Sequence, residues 1–271
     1  MIVDYHMHLR NEREEIAHDT SAIDPFVEAA RAAGVDEIGM SEHVYYFRQT
    51  RRLWHVPYHV ERCVYDIEDY VNAVLEAKHR GLPVKLGLEV DYEPGREEET
   101  REILAAYPWD YLLGSVHFID GLGVDGEPRL VDSVGVAEAW RRYFTLLGTA
   151  AKTRLFDSLS HPDLVKIFGH RPAQDVIDDV HEQFADAVAE AGIAIEVSTA
   201  GMRKPVGELY PDPGLLAAFR SRRVPVTLAS DAHEPRLVGK DFDLARGLLR
   251  SAGYETITVF ERREPTQVPF T

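Results

Sequence analysis

Seven short apolar runs, six of which end in a histidine or a carboxylate, constrain the fold of this chain more than any other feature. The runs alternate with amphipathic stretches, which is the pattern of β/α units. They cover residues 2–8, 35–43, 84–91, 111–117, 154–161, 193–199 and 224–233. The sequence therefore predicts seven strands, and in a closed parallel β/α barrel the carboxyl ends of all strands open on the same face.

The polar residues at these strand ends are expected to meet around one point. They are His6 and His8, Glu42 and His43, Glu89 and Asp91, His117, His161, and Asp231 and His233. Imidazole and carboxylate without thiolate suit Zn, Fe or Mn, and the donors outnumber the ligands of one tetrahedral ion. Residues two apart on a strand point to the same side, so His6 and His8 are expected to share an ion. Glu89 is suited to bridge two ions, as in two-metal hydrolases.

Each of these residues also has an ordinary structural interpretation. A single histidine that ends an apolar run, such as His117, is commonly a semi-buried, hydrogen-bonded side chain. A pair such as Glu89 and Asp91 is commonly a solvated strand end. The repetition of the same chemistry at six strand ends favours a metal site over these alternatives.

The helices between the strands have recognisable ends. Predicted helices begin at Pro25 with Asp24 as N-cap and end at Gly34, run from Asp66 to Arg80 before Gly81, and run from Pro172 to Ala191 before Gly192. No change in composition and no internal repeat marks a boundary. We therefore expect a single α/β domain over residues 1–271.

Composition excludes several classes of protein. Lys and Arg number 30 against 46 Asp and Glu, and the net charge of −16 disfavours binding to long nucleic acid. The only cysteine, Cys63, excludes an intrachain disulfide. The first residues lack the pattern of a secretory signal, and no apolar run is long enough to cross a membrane. We expect a soluble cytoplasmic protein without membrane contacts, and the sequence does not indicate its oligomeric state.

Several motifs resemble those of one family. DYHMHL, SEH, GLEVDY, GSVHF, SHPDLVKIFGHR, STAG with RKP, and ASDAH occur in this order, from residue 1 to about residue 260. They resemble the PHP (polymerase and histidinol phosphatase) phosphoesterases, and most of all the stand-alone histidinol-phosphate phosphatases of that family. The resemblance implies a distorted (β/α)7 barrel with a trinuclear metal site.

The resemblance also implies which residues bind each ion. One ion would be held by His6, His8, Glu89 and Asp231, a second by Glu89, His117 and His161, and the third by His18, His43 and His233. His18 rests on the resemblance alone, and Ile16 and Ala17 stand where the family usually has a Cys-Gly pair. Glu42 and Ser198 stand where Asp and Asn are common in the family.

Phosphate binding requires cations beside the metal ions. Arg203 and Lys204 follow the sixth predicted strand, and Arg171 follows the fifth, as does His170. Arginine matches phosphate oxygens bidentately, so Arg171, Arg203 and Lys204 are candidates for substrate binding, whereas His170 is a candidate for assisting the leaving group. The alternative is that they are solvated loop residues.

The segment from residue 44 to residue 65 is too long for an ordinary barrel connection. It contains Arg48, Arg51, Arg52, Trp54, His55 and His59. We expect its aromatic residues either to cover the organic part of a substrate or to pack on the barrel rim.

These features together predict a metal-dependent phosphomonoester hydrolase, with L-histidinol phosphate as the expected substrate. A metal-bound hydroxide would attack phosphorus directly, Arg203 would neutralise phosphoryl charge, and His161, His170 or Asp231 would assist the leaving alkoxide. Other substrates of the same scaffold remain open, namely a phosphodiester, a nucleotide or phosphotyrosine. A non-catalytic metal-binding module is the alternative of a different class.

Overall fold

The computed structural model describes residues 1–10 and 18–271. Its strands are β1 (Val3–Asp4), β2 (Glu37–Met40), β3 (Val84–Asp91), β4 (Tyr111–Ser115), β5 (Phe118–Ile119), β6 (Leu122–Gly123), β7 (Ser158–Leu159), β8 (Ala194–Ser198), β9 (Val226–Ala229), β10 (Thr256–Glu261) and β11 (Glu264–Pro269). Its α-helices are α1 (Thr20–Ala33), α2 (Pro57–Arg62), α3 (Ile67–His79), α4 (Glu97–Leu104), α5 (Arg129–Val134), α6 (Val136–Lys152), α7 (Gln174–Ala191), α8 (Pro213–Ser221) and α9 (Phe242–Ser251). Short 3₁₀ helices occupy several loops.

Seven parallel strands form the central sheet, in the order β1-β2-β3-β4-β7-β8-β9. The two outer strands approach each other, because the Tyr5 amide donates to the Leu228 carbonyl at 3.1 Å and Met7 forms a parallel bridge with Ala232. The buried Asp4 carboxylate adds to this seam by accepting from the amides of Ser230 and Gly239. The sheet is therefore closed into a seven-stranded β/α barrel, as the sequence predicts.

Each of the seven predicted runs contains one of these strands. The β3 run VKLGLEVD is almost entirely buried, which is typical of a parallel strand with helices on one side and a packed interior on the other. Except for the run of β3, which ends with its strand at Asp91, the runs extend beyond the strands at their carboxyl ends. Those extensions carry the polar residues to one mouth of the barrel.

Both predicted ends of α3 are correct, and so are the predicted C-terminal ends of α1 and α7. Asp66 caps α3 by accepting from the Glu68 amide, and Gly34 and Gly192 end α1 and α7 in left-handed conformations. The predicted start of α1 is wrong. Asp19 is the N-cap, through a 3.2 Å bond from the Ala22 amide, and Pro25 lies inside the helix.

The start of α1 reflects burial in its first turns. Ile23 is fully buried, so the apolar face of the helix reaches further back than Pro25. The predicted start of α7 at Pro172 is two residues early, because the helix begins at Gln174. None of the described helices is both long and apolar enough to cross a membrane.

The end of the barrel opposite the polar mouth is closed by aromatic packing. Phe260 of the β10–β11 hairpin lies 5.9 Å from the rings of both Tyr5 and Tyr111, measured between ring centroids. The Tyr111 ring crosses two neighbouring strands, and its hydroxyl donates to the Tyr5 carbonyl at 2.7 Å. It has room to do so because Gly39 and Gly87 carry no side chain. A Cβ added to Gly87 would lie 2.2 Å from the Tyr111 ring.

Gly87→Ala should therefore destabilise the barrel. Overpacking of a buried ring costs about 1–3 kcal/mol, and the loss should appear as a lower free energy of unfolding in urea. Gly247→Ala is the matched control, since it lies inside α9 with no heavy atom within 4 Å of an added Cβ. It should stabilise the helix by about 0.5–1 kcal/mol. A native free energy of unfolding for Gly87→Ala would contradict the packing described here.

Candidate metal centre and substrate cavity

The polar mouth of the barrel opens on a cavity of about 560 Å³. Its lining combines imidazoles and carboxylates from the strand ends with aromatic and charged side chains from the loops. The strand-end residues are His43, Glu89, His117, His161, Asp231 and His233, and the loop residues include Tyr45, Tyr58, Arg62, Phe118, Asp125 and Lys204. Residues from most of the chain therefore contribute to one cavity.

A first group of donor atoms, from His6, His8 and Asp231, is close enough together to hold one ion, and Glu89 lies beside it. His6 Nε2 lies 3.1 Å from His8 Nε2, 3.4 Å from Glu89 Oε2 and 3.7 Å from Asp231 Oδ1. His8 Nε2 lies 3.8 Å from the same Glu89 oxygen and 3.4 Å from the same Asp231 oxygen. Four donors at 2.0–2.1 Å from a tetrahedral ion would lie roughly 3.4 Å apart. The spacing therefore matches a site for one divalent ion.

Glu89 connects this first group to a second. Its Oε1 atom lies 3.0 Å from His161 Nε2 and 3.7 Å from His117 Nε2, while its Oε2 faces His6 and His8. Glu89 is fully buried, at 0% exposure, near the end of the longest barrel strand. A carboxylate whose two oxygens face different sets of imidazoles suits a bridging ligand.

A third group combines His8, His43 and His233, whose donor atoms lie within 4.8 Å of one another. This differs from the grouping implied by the family resemblance, in which His18 stands beside His43 and His233. His18 lies behind Glu42, with its Nε2 3.3 Å from Glu42 Oε2, and it joins none of the donor groups found in residues 1–10 and 18–271. Metal binding by His18 stays a prediction. Positions 16 and 17, where the sequence departs from the family pattern, lie outside the described residues.

Asp91 forms a further group with His43 and His117. Several buried donor atoms of these groups lack a hydrogen bond within the described part of the chain. They include His43 Nδ1, Glu89 Oε2 and Asp91 Oδ2. His43 Nδ1 and Glu89 Oε2 are 2.7 Å apart but are not aligned for a hydrogen bond. Buried polar atoms without partners are costly, and a divalent cation would satisfy them. The donor set therefore fits divalent metal ions, as the sequence predicts.

Three buried carboxylates orient the imidazoles from behind. Asp91 Oδ1 lies 2.7 Å from His117 Nδ1, Glu196 Oε1 lies 2.9 Å from His6 Nδ1, and Glu42 Oε1 lies 3.2 Å from His8 Nδ1. Each contact leaves the Nε2 atom of the histidine facing the centre. Such carboxylate–histidine pairs fix the ring orientation of metal ligands.

Sequence reasoning missed the positioning role of Glu196. This residue is fully buried in β8, and its second oxygen accepts from the His161 amide at 3.0 Å. The signal was present in the sequence as a single acidic residue inside the apolar run IAIEVST. A buried carboxylate in such a run requires a partner on another strand.

The carboxylates and the imidazoles strongly change one another's pKa. Burial lowers the pKa of His117, but the neighbouring Asp91 and Glu89 carboxylates outweigh it and raise the value to about 10. Burial also lowers the pKa of His8, but hydrogen bonds to Asp231 and Glu42 outweigh it and raise the value to about 9. Burial and the neighbouring His8 lower the pKa of His233 to about 3. Without metal, protons on some imidazoles therefore balance the buried carboxylates.

Two residues of the cavity adopt left-handed backbone conformations. His161 has φ of 23° and Asp231 has φ of 52°. Such conformations cost of order 1–3 kcal/mol for residues other than glycine and are concentrated at functional sites. In both residues the backbone turns sharply after the strand, and both side chains line the cavity.

The structure separates the cations predicted to bind phosphate. Lys204 lines the cavity. Arg203 donates instead to the carbonyls of Thr199, Ser230 and Asp231, so it supports the loop that carries Asp231. Whether Arg203 also contacts a phosphate stays a prediction.

Arg171 and His170 do not reach this cavity. Arg171 pairs with Glu208 and Asp212 and lines a larger groove of about 760 Å³ beside α7 and α8, which contains none of the metal-group residues. The carbonyl of His170 accepts from Trp140, and its side chain is not part of the cavity lining. Neighbouring carboxylates thus hold the Arg171 side chain away from this cavity, and its role in substrate binding stays a prediction.

The long segment from residue 44 to residue 65 folds over one side of the cavity. Tyr45 and Tyr58 line the cavity, and His59 packs behind them with its ring stacked on Tyr45 at 4.9 Å. Its arginines Arg48 and Arg52 pair with Asp66 and Glu102, while Arg51 donates to the Val60 carbonyl. The aromatic residues of the segment therefore serve the cavity and these arginines do not.

Comparison with known proteins identifies relatives of this chain. The family model described as "PHP domain" matches residues 4–200. A protein named "Probable histidinol-phosphatase" from Deinococcus radiodurans is 34% identical over 253 residues, covering 91% of this chain and 93% of that protein. The "Histidinol-phosphatase" of Lactococcus lactis is 23% identical, covering 94% of this chain and 92% of that protein.

A similar fold is known from a solved structure. The crystal structure of histidinol phosphate phosphatase from Lactococcus lactis, in complex with Zn, L-histidinol and phosphate, superposes with a TM-score of 0.74. The superposition covers 98% of both chains at 22% identity. The likeness shows that the two chains share their fold over nearly their whole length.

Metal binding should release protons. The pKa values of about 9 for His8 and about 10 for His117 keep both rings charged at pH 7 in the metal-free protein, whereas a metal requires neutral imidazole. Zinc affinity should therefore rise with pH between 6 and about 9. Calorimetric titration of metal-free protein in buffers of different ionisation enthalpy measures the number of protons released. Binding without proton release and without pH dependence would contradict this electrostatic description.

Proposed function

The chain belongs to the PHP family, and from this premise we propose that it hydrolyses L-histidinol phosphate to L-histidinol and phosphate, as a step of histidine biosynthesis. The observation that carries the substrate assignment is the relative of 34% identity, which matches this chain over nearly the full length of both proteins. The reaction class follows from the strand-end donor groups that open on one cavity. The enzyme is thus a metal-dependent phosphoric monoester hydrolase.

The proposed metal complement is two or three divalent ions, which Zn, Fe or Mn would satisfy. His6, His8, Glu89 and Asp231 would hold one ion, and Glu89, His117 and His161 would hold another. A further ion would lie with His43 and His233, where His8 is the third imidazole of the structure. Bound divalent ions polarise a phosphoryl group and make water acidic enough to react at neutral pH.

Residues of this chain would hold the phosphoryl group during the reaction. Lys204 lies in the cavity and contributes a positive charge toward the phosphoryl oxygens. Arg203 fixes the backbone of the loop that carries Asp231 by donating to the Ser230 and Asp231 carbonyls. We therefore assign substrate binding to Lys204 and a supporting place to Arg203.

Proton transfer is assigned to Asp231. The imidazoles of His6 and His8 and other nearby histidines outweigh the effect of burial and hold the pKa of Asp231 well below its usual value, so it is ionised. Its side chain lines the cavity and is 15% exposed. Asp231 can accept a proton from the attacking water and deliver it to the alkoxide oxygen of the leaving group. His161 is the second candidate, since it also lines the cavity, whereas His170 does not.

The organic part of the substrate would meet an aromatic wall. Tyr45 and Tyr58 from the long segment and Phe118 from β5 line the cavity. The Tyr58 and Phe118 ring centroids are 5.2 Å apart, and His59 packs against both. Flat aromatic surfaces of this kind suit an imidazole ring.

The cytoplasmic location expected from the sequence stays a prediction.

A substrate panel tests the proposed function. The protein loaded with zinc or manganese should hydrolyse L-histidinol phosphate with a kcat/KM at least roughly 100-fold above nucleotides, phosphotyrosine and a bis-aryl phosphodiester. His117→Ala is the control for metal dependence and should lose both metal and turnover. Comparable turnover of the diester with little turnover of histidinol phosphate would contradict the substrate assignment. Absence of any turnover in the metal-replete protein would favour a metal-binding module without catalysis.

A further inference from the structure

One carboxylate of the cavity is left without a partner by the rest of the described chain. Asp125 lies in the loop between β6 and α5, is partly buried and lines the cavity. No hydrogen bond or ion pair reaches its side chain from residues 1–10 or 18–271. A charge held at the edge of a substrate cavity without compensation is available to a ligand of opposite charge.

The other carboxylates of the same cavity are already compensated. Glu89 and Asp231 face the imidazoles of the metal groups, and Glu127 Oε2 accepts from Arg129 Nε at 2.6 Å. Asp125 is therefore the one acidic residue of the described cavity lining whose side chain no hydrogen bond or ion pair reaches. Asp125 differs from an acid on the open surface because it is partly buried and lines the cavity.

The backbone holds Asp125 close to the metal centre. The amide of the preceding residue, Val124, donates to the His117 carbonyl at 2.8 Å, and Val124 itself is buried. This backbone bond therefore holds the loop that carries Asp125 against the strand end that carries His117.

The cavity consequently presents two opposite charges to one small ligand. Lys204 and the proposed metal ions suit a phosphate dianion, and Asp125 suits a cation. Tyr45, Tyr58 and Phe118 form an aromatic part of the wall. Of the other charged residues in the lining, Arg129 pairs with Glu127, and Arg62 lies over the Tyr58 ring at 3.5 Å. A ligand that fits all three surfaces is a phosphate monoester that bears both an aromatic ring and a protonated amine.

We infer that Asp125 is a specificity-determining residue that binds the protonated amine of the substrate. The inference rests on the proposed function, because L-histidinol phosphate has an ammonium group on the carbon next to the phosphate-bearing carbon. An ammonium–carboxylate hydrogen bond inside a partly enclosed cavity strengthens binding of the aminated substrate. It contributes nothing to a substrate without the amine.

A pair of substrates isolates this contact. L-histidinol phosphate and its des-amino analogue, 3-(imidazol-4-yl)propyl phosphate, differ only in the ammonium group. For Asp125→Asn, kcat/KM toward L-histidinol phosphate should fall roughly 10- to 100-fold, while kcat/KM toward the analogue stays within about twofold of the native value. Metal content and the unfolding midpoint should not change. Asp125→Ala, which removes the side chain oxygens altogether, should give the same selective loss.

Asp120→Asn is the matched control. This substitution makes the same chemical change in the β5–β6 hairpin, but Asp120 pairs with Arg142 at 3.0 Å and is not part of the cavity lining. It should leave the ratio of kcat/KM between the two substrates unchanged.

Two further results would overturn the inference in different ways. Equal losses on both substrates, or no loss on either, would exclude an amine contact at Asp125 while leaving the proposed function intact. Failure of the native metal-loaded protein to hydrolyse L-histidinol phosphate would overturn the proposed function, and the inference with it.

Discussion

The structure depends on the burial of one carboxylate among imidazoles. Glu89 is fully enclosed at the end of β3, and its two oxygens face histidines from four different strand ends. An ionised carboxylate in such a place is costly unless cations surround it. The closed barrel meets this requirement, because it brings residues from positions 6 to 233 to one rim. It also accounts for the outer carboxylates Glu42, Asp91 and Glu196, which hold the rings in place.

The sequence predicted the strands and most of the donor groups because parallel strands impose a simple rule. Residues at the carboxyl ends of such strands converge whatever their distance along the chain. His6, His8, Glu89, His117 and Asp231 obey this rule without further information. Their roles as ligands stay predictions, whereas their convergence is observed.

Other features depended on tertiary contacts that no local pattern reveals. The start of α1 is set by the cap at Asp19 and by burial of Ile23, which outweigh the usual preference for proline at a first helical position. His18 is held by Glu42, and Arg171 by Glu208 and Asp212. In each case a partner distant in sequence decides where the side chain lies. Asp125 was missed because an unpaired acid in a loop looks in sequence like any solvated residue.

The central claim is that the strand-end donors hold divalent ions around Glu89. Crystals grown with phosphate and soaked separately with zinc, iron and manganese allow each ion to be located by anomalous scattering at its own absorption edge. The account predicts at least two ion peaks, one among His6, His8 and Asp231 and one beside His117 and His161, with Glu89 contacting both. An ion-free centre after every soak, or peaks only at surface sites, would contradict it.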